Sequence, residues 1–261
     1  MQYFPQLETG AMGQYPLRRT RRSRTIVNQT ADGRCLKLAD TAAGVTEWSL
    51  EYQELTDGEA DSLAQFFGAV EGRLQPFTFL DPAGNLLCWS EKLDEPAWER
   101  APLVTVTGGI ADPFGGTGTW RLTNGGPSHV GIAQTLNAPG WYYYCLSVYA
   151  RSEQATNVTL VRGAERSEQR VSGTWRRLTF ASLEEGTQES VRLGVEAPGG
   201  ATVELYGLQA EAQIGASGYK KTTARGGVYR NARLAEDRLE ITAVGLGRHC
   251  CALSVIHGER F

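Results

Sequence analysis

No apolar run in this chain is long enough to span a bilayer. The N-terminus lacks the charged and then apolar stretches of a secretory signal, so synthesis in a reducing cytoplasm is expected, and the sequons at Asn28 and Asn157 are expected to stay unmodified. A global field is missing as well. Lys and Arg number 26 against 29 Asp and Glu, for a net charge of −3, which marks the chain for neither nucleic acid nor an anionic membrane. Histidine is scarce, at three, and the five cysteines (Cys35, Cys88, Cys145, Cys250 and Cys251) have no metal-binding spacing. Adjacent Cys250 and Cys251 would point to opposite faces of a strand, so the cysteines are expected to be buried free thiols. Hydrolase signatures are absent too. There is no Gly-x-Ser-x-Gly and no His-Glu-x-x-His, and acidic residues such as Asp94, Glu95, Glu184 and Glu185 sit in turns and polar stretches. No catalytic, cofactor-binding or metal residue is assigned, and the chain reads as a non-enzyme.

What the chain has is glycine, 31 residues of it, and short runs rich in Thr, Val, Tyr and Trp with few helix signals. That composition predicts a mostly β chain with tight turns. One helix stands out. Thr56 and Glu59 are spaced as a capping box, and Ala60, Leu63, Phe66, Phe67 and Val70 fall on one helical face. Gly72 suits a left-handed stop. Before the helix, Trp48, Leu50 and Tyr52 alternate as the buried face of a strand. After it, residues 74–80 predict a second strand, closed by Asp81-Pro82.

Upstream, residues 1–17 read as an extended arm. Arg18, Arg19, Arg21, Arg22 and Arg24 then place five arginines in seven positions. A nucleic-acid patch needs stacking aromatics that this stretch lacks. It reads instead as a solvated or intersubunit strand, with Glu47, Glu51 and Glu54 as candidate partners in a neighbouring copy. Residues 35–38 predict a short strand and residues 42–44 a turn.

The order of these motifs, from Tyr3-Phe4-Pro5 through Gly10-Ala-Met-Gly13 to Phe77-x-Phe79-x-Asp81-Pro82, resembles small distal tail proteins of long-tailed bacteriophages and phage-like gene transfer particles. The resemblance implies a β-sandwich with one packed helix and a hexameric ring at the distal end of the tail tube. Tail tube and tail hub proteins are the implied partners, and the virion tail tip the implied location.

From Asn85 the pattern changes. Asn85-Leu-Leu, Ser90-Glu91, Asp112-Pro-Phe-Gly-Gly before Trp120, Gln134-x-Leu136, Tyr149-Ala-Arg151 and Trp175-x-Arg177 occur in order. Together they resemble a carbohydrate-binding-module-like jelly roll. Along residues 142–151, Tyr142, Tyr144, Leu146, Val148 and Ala150 share one face and form its core. Tyr143, Cys145, Ser147, Tyr149 and Arg151 share the other. Sugar sites use aromatic faces against ring C–H surfaces with a few fixing polar groups. Trp120, Tyr143, Tyr149 and Arg151 are the candidates, with His129 behind them, while Trp98, Trp141 and Trp175 read as packing residues. The resemblance also allows a structural calcium ion, without assigning ligands. Residues 239–244 and 251–256 alternate as a hairpin that needs a sheet to join. The expected layout is therefore a discontinuous first domain, residues 1–83 plus 226–261, with a jelly roll of residues 84–225 inserted in it.

The leading functional expectation is a tail-tip ring component whose outward module touches host surface polysaccharide. A free-standing lectin-like protein and a cell-wall hydrolase are the alternatives, and no specific nucleic-acid partner is expected.

Overall fold

The computed structural model describes residues 2–184 and 186–258. Glu185, one of the acidic turn residues named above, lies outside them. The chain divides into two compact units, one of residues 1–8, 13–79 and 229–261, the other of residues 9–12 and 80–228. In chain order the elements are β1 (Arg18–Gln29), β2 (Cys35–Leu55), α1 (Asp57–Ala69), β3 (Phe77–Leu80), β4 (Glu99–Arg100), β5 (Val104–Ile110), β6 (Thr119–Asn124), β7 (Val130–Leu136) and β8 (Tyr144–Arg151). They continue with β9 (Thr156–Arg162), β10 (Glu165–Val171), β11 (Arg176–Ser182), β12 (Val191–Ala197), β13 (Thr202–Glu211), β14 (Val228–Leu234), β15 (Ile241–Gly245) and β16 (Arg248–Gly258). The fold is mostly β with one short helix and antiparallel sheets, as the composition predicts. None of the described helices is long and apolar enough to cross a membrane.

The first unit is a six-stranded sheet in the order β1-β2-β16-β14-β3, with β15 paired to β16. Helix α1 starts where the sequence places it. Thr56 Oγ1 accepts from the Glu59 N–H at 3.1 Å, and the Thr56 N–H donates to Glu59 Oε2 at 3.0 Å. Ala60, Leu63, Phe66 and Val70 are buried, while Phe67 is half-buried. Gly72 takes the left-handed φ of 63°. Trp48, Leu50 and Tyr52 are each at most 2% exposed, so the alternating strand faces the core as predicted. The rings of Phe4 and Phe66 meet edge to face at 5.3 Å, and those of Phe66 and Phe77 at 4.9 Å.

Three local expectations are corrected. The strand after the helix begins at Phe77 rather than residue 74, because the Leu74 and Gln75 N–H groups still donate back to Glu71 and Val70 carbonyls. The small residues 42–44 do not turn: β2 runs unbroken from Cys35 to Leu55, and the β1–β2 register shifts there, between Arg22 and Arg24. The expected extended arm of residues 1–17 is instead packed and turned, since Phe4 is fully buried, its N–H donates to the Thr78 carbonyl at 3.1 Å, and turns and bends occupy residues 8–16.

The second unit is a β-sandwich of two five-stranded sheets, β10-β9-β12-β7-β4 and β11-β8-β13-β6-β5. Tyr144, Leu146, Val148 and Ala150 are fully buried between them. Buried Asn85 explains the opening motif of this unit. Its Nδ2 donates to the Leu208 and Lys220 carbonyls, and its Oδ1 accepts from the Leu87 and Ala210 N–H groups. One side chain thus ties the first segment of the sandwich to its last strand, with its polar atoms satisfied. The β7–β12 pair leaves no room at Gly131, where a Cβ would stand 1.9 Å from the Val195 carbonyl oxygen. Gly131→Ala is therefore expected to destabilise this unit by about 1–3 kcal/mol through overpacking. A urea titration followed by circular dichroism checks it.

Candidate functional site

The site begins with β8. Its core-facing residues alternate with Cys145, Ser147, Tyr149 and Arg151, which face away from the sandwich interior. The neighbouring strands extend this outer face. Register pairs Arg151 with Glu204 and Tyr149 with Tyr206 on β13, and Glu204 in turn with Arg121 on β6. A row Arg151–Glu204–Arg121 therefore crosses three strands, next to a second row of aromatic residues.

Glu204 is the hinge of the polar row. Its Oε1 accepts from Arg121 Nη2 and its Oε2 from Arg151 Nε, both at 2.7 Å. Desolvation alone would raise its pKa, but the two arginine hydrogen bonds and charges outweigh it and hold the carboxyl below its ordinary value of 4.5. An acid held ionised in this way is a poor proton donor near neutral pH. Its native state favours the charged form, so its contribution to stability is full above pH 4.5 and is lost as pH falls through the lowered folded value. The expected outcome is that acidification below that range loosens the row. A Glu204→Gln variant should show a smaller loss of stability than the wild type between pH 5 and about pH 3. Thermal melts across that range measure it.

The aromatic row is built around Tyr149 and Tyr206, whose ring centroids lie 6.1 Å apart. Phe114 meets Tyr149 edge to face at 5.3 Å and is itself 67% exposed. It is presented by a loop that Asp112 fixes, for the Asp112 carboxylate accepts the N–H groups of Phe114, Gly116 and Gly118 at 2.8–3.1 Å. Gly115, at a φ of 91°, permits the tight return. On the other side, the Arg151 guanidinium stacks on Trp175 at 4.6 Å and that of Arg177 lies over Tyr149 at 5.5 Å. Beside the polar row an open groove of about 570 Å³ is lined by Arg121, Ser152, Thr156, Thr202 and Glu204, among others. An exposed Phe114 ring, fixed arginines and a carboxylate on one sheet face, with the groove beside them, suit a ligand with C–H faces and hydroxyl edges.

The structure brings Tyr149 and Arg151 together and separates the other candidates from them. Trp120 shares the strand parity of buried Leu122, so it lies on the opposite side of β6 from Arg121. Its indole N–H donates to the Glu91 carbonyl at 2.7 Å and its ring covers Gly108. Tyr143 has the right parity, but it precedes Tyr149 by six residues, about 20 Å of extended strand. Its ring packs on Gly10, where a Cβ would stand 2.8 Å away. His129 Nε2 lies 3.0 Å from Thr159 Oγ1, beside the other sheet. Trp175, read as a packing residue, instead carries the stacked Arg151. Phe114, Arg121, Glu204 and Tyr206 were not singled out in the sequence. A legible signal existed for Glu204, a lone carboxylate alternating with buried Val203 and Leu205.

The arginine row of the first unit lies along β1, where every residue is exposed. Arg22 forms an ion pair with Glu47 of its own chain, Arg24 lies 3.9 Å from Asp40, and Glu54 pairs with Arg248. Two of the three acidic residues expected to meet a neighbour thus have partners within the chain. All five cysteines are free, and Cys35 is exposed rather than buried because the hairpin face that bears it is open. Among the described residues no group of three or more His, Cys, Asp or Glu converges as a metal site, and the Asp112 carboxylate is already filled by backbone N–H groups.

No family model matches the chain, and no curated protein matches it. Several solved structures do. The CBM22-1 xylan-binding domain from Paenibacillus barcinonensis is 15% identical over 51% of this chain and 96% of that one, with a TM-score of 0.41. The carbohydrate-binding module TmCBM61, solved in complex with β-1,4-galactotriose, is 12% identical over 48% of this chain and 97% of that one, with a TM-score of 0.37. The enzymatically active domain of tailspike protein 4 of bacteriophage CBA120 is 15% identical over 51% of this chain but 22% of its own, with a TM-score of 0.38.

Proposed function

We propose that the second unit binds glycans across the outer face of β8, β13 and β6, and that the chain is a tail-tip component of a phage or phage-like particle. The observation that carries the binding site is the pairing of an exposed aromatic edge, Phe114 over Tyr149, with the fixed Arg151–Glu204–Arg121 row. The aromatic faces take the C–H surfaces of a sugar, and the charged row takes its hydroxyls. The setting rests on the resemblance of residues 3–82 to distal tail proteins. In that setting copies form a ring on the tail tube, next to hub proteins, and the modules face host polysaccharide. Weak single sites then act together, because linked copies raise the effective concentration of each remaining site.

Binding is tested by presenting the full chain to immobilised polysaccharides and comparing it with Arg151→Met. Loss of retention in the variant, with its folded state confirmed by circular dichroism, supports the site. Equal retention of both proteins would move the ligand elsewhere. The ring is tested by light scattering over a range of concentration and salt. A mass above that of a monomer, climbing as salt is lowered, supports it, and a monomer under all conditions speaks against it.

A further inference from the structure

The hairpin formed by β1 and the start of β2 is an open part of the first unit. All twelve residues of β1 are exposed, and so are residues 35–39 of β2. A two-stranded ribbon alone is marginal in water, and β1 ends the sheet. The arginines at its base discourage unspecific strand pairing, but residues 25–29 carry no charge. The register sets Ile26 opposite Leu38 and Asn28 opposite Leu36. Ile26, Leu36 and Leu38 therefore make one apolar stripe on one face, at 38%, 53% and 47% exposure.

Charge says what covers it. Residues 18–44 hold six arginines and one lysine against Asp32 and Asp40. The same unit carries an open groove of about 460 Å³ with the opposite balance, where Glu51, Glu236 and Glu240 stand with Arg238 around Cys250 and Ala252. A chain cannot place its own stripe there. Leu38 and Glu51 lie on the same strand, β2, separated by about 40 Å at the extended rise of 3.2–3.4 Å per residue.

We propose that the hairpin of one copy docks in the Glu51–Glu236–Glu240 groove of the next copy. The contact deepens the ring part of the proposed function and rests on that reading. It joins two different surfaces, so it is heterologous: repeated with a fixed rotation it closes a ring, and without closure it gives a filament. The arginines steer and fix the register, and the apolar stripe is the surface removed from water.

The test is a charge exchange in the full chain. Arg21→Glu with Arg24→Glu makes one variant, and Glu51→Arg with Glu236→Arg makes the other. Light scattering is expected to show wild-type assemblies, each variant alone as a monomer, and assemblies again when the two variants are mixed, since mixing restores opposite charges at every contact. Wild-type mass in either variant alone, or no assembly on mixing, would overturn this contact while leaving the ring in place. A wild type that is a monomer throughout would overturn the ring reading and the contact with it. A second readout needs no variant. The thiol of Cys250, half-buried in the single chain and part of the groove lining, is expected to react with a maleimide at least tenfold more slowly at concentrations where the wild type assembles. An unchanged rate there, read at Cys250 by peptide mass spectrometry, would also overturn the contact.

Discussion

Replacing Arg162 by alanine is expected to destabilise the second unit by about 3–5 kcal/mol, the cost of breaking a buried pair by removing one partner. Arg162 is fully buried on β9. Its Nη1 reaches Glu184 at 3.1 Å, and its Nη2 donates to the Gly140 and Tyr142 carbonyls. Its guanidinium lies 5.6 Å from the Tyr144 ring. Burial disfavours its charge, and Glu184 acts against that, so the net effect lowers the pKa of a group that stays protonated at any ordinary pH. Alanine leaves two inward carbonyls and a carboxylate without their donor, and each unsatisfied polar group costs about 1–3 kcal/mol. Arg162→Met with Glu184→Gln should recover part of the loss, because both ends of the ion pair are then neutral. Urea unfolding gives the answer. A loss below about 1 kcal/mol for Arg162→Ala would mean that the arginine is not the tie between β9 and the 140–142 turn that its hydrogen bonds describe.

The second large effect falls on binding. Phe114→Ala is expected to weaken glycan affinity at least tenfold, about 1.4 kcal/mol, without lowering stability. The separation follows from exposure. Phe114 is 67% exposed, so truncation removes little buried surface, and the loop is held by Asp112 rather than by the ring. Its contribution must then come from the ligand. Combining it with Arg151→Met should bring binding below detection while the melting profile stays close to that of Arg151→Met alone. Titration of a retained oligosaccharide into wild type and variants measures both. An unchanged affinity in Phe114→Ala would remove the aromatic edge from the site.

Local rules carried much of the fold, and register carried much of the site. The capping box at Thr56, the inward set Trp48, Leu50 and Tyr52, and the two faces of β8 each depend on neighbours in sequence, and each is seen in the structure. The Gln134-x-Leu136 motif closes a strand, β7, as the resemblance implies. The turn expected at residues 42–44 failed because they form a register shift inside β2, flanked by the Arg24–Asp40 and Arg22–Val45 pairs that keep the strand going on either side, a tertiary effect that composition does not encode. At the site, aromatic residues were chosen by type. Parity argues against Trp120, which shares the face of core Leu122 and not that of Arg121. Tyr143 passes the parity test and fails on distance along the strand and on the packing of Gly10 against it. The Arg151–Glu204–Arg121 row joins residues 53 and 83 positions apart through Glu204, and only the order of strands in the sheet brings them side by side. Phe114 depends on how Asp112 folds its loop, which the Asp-Pro-Phe-Gly-Gly stretch suggests as a turn without saying where the ring points.

The most direct test of the outer-face site is a polysaccharide-binding screen of the full wild-type chain run in parallel with Phe114→Ala/Arg151→Met. The account predicts that wild type retains at least one neutral or hydroxyl-rich polysaccharide and that the folded variant retains none. Retention by both proteins, or by neither across a broad panel, would contradict a glycan site on the outer face of β8, β13 and β6.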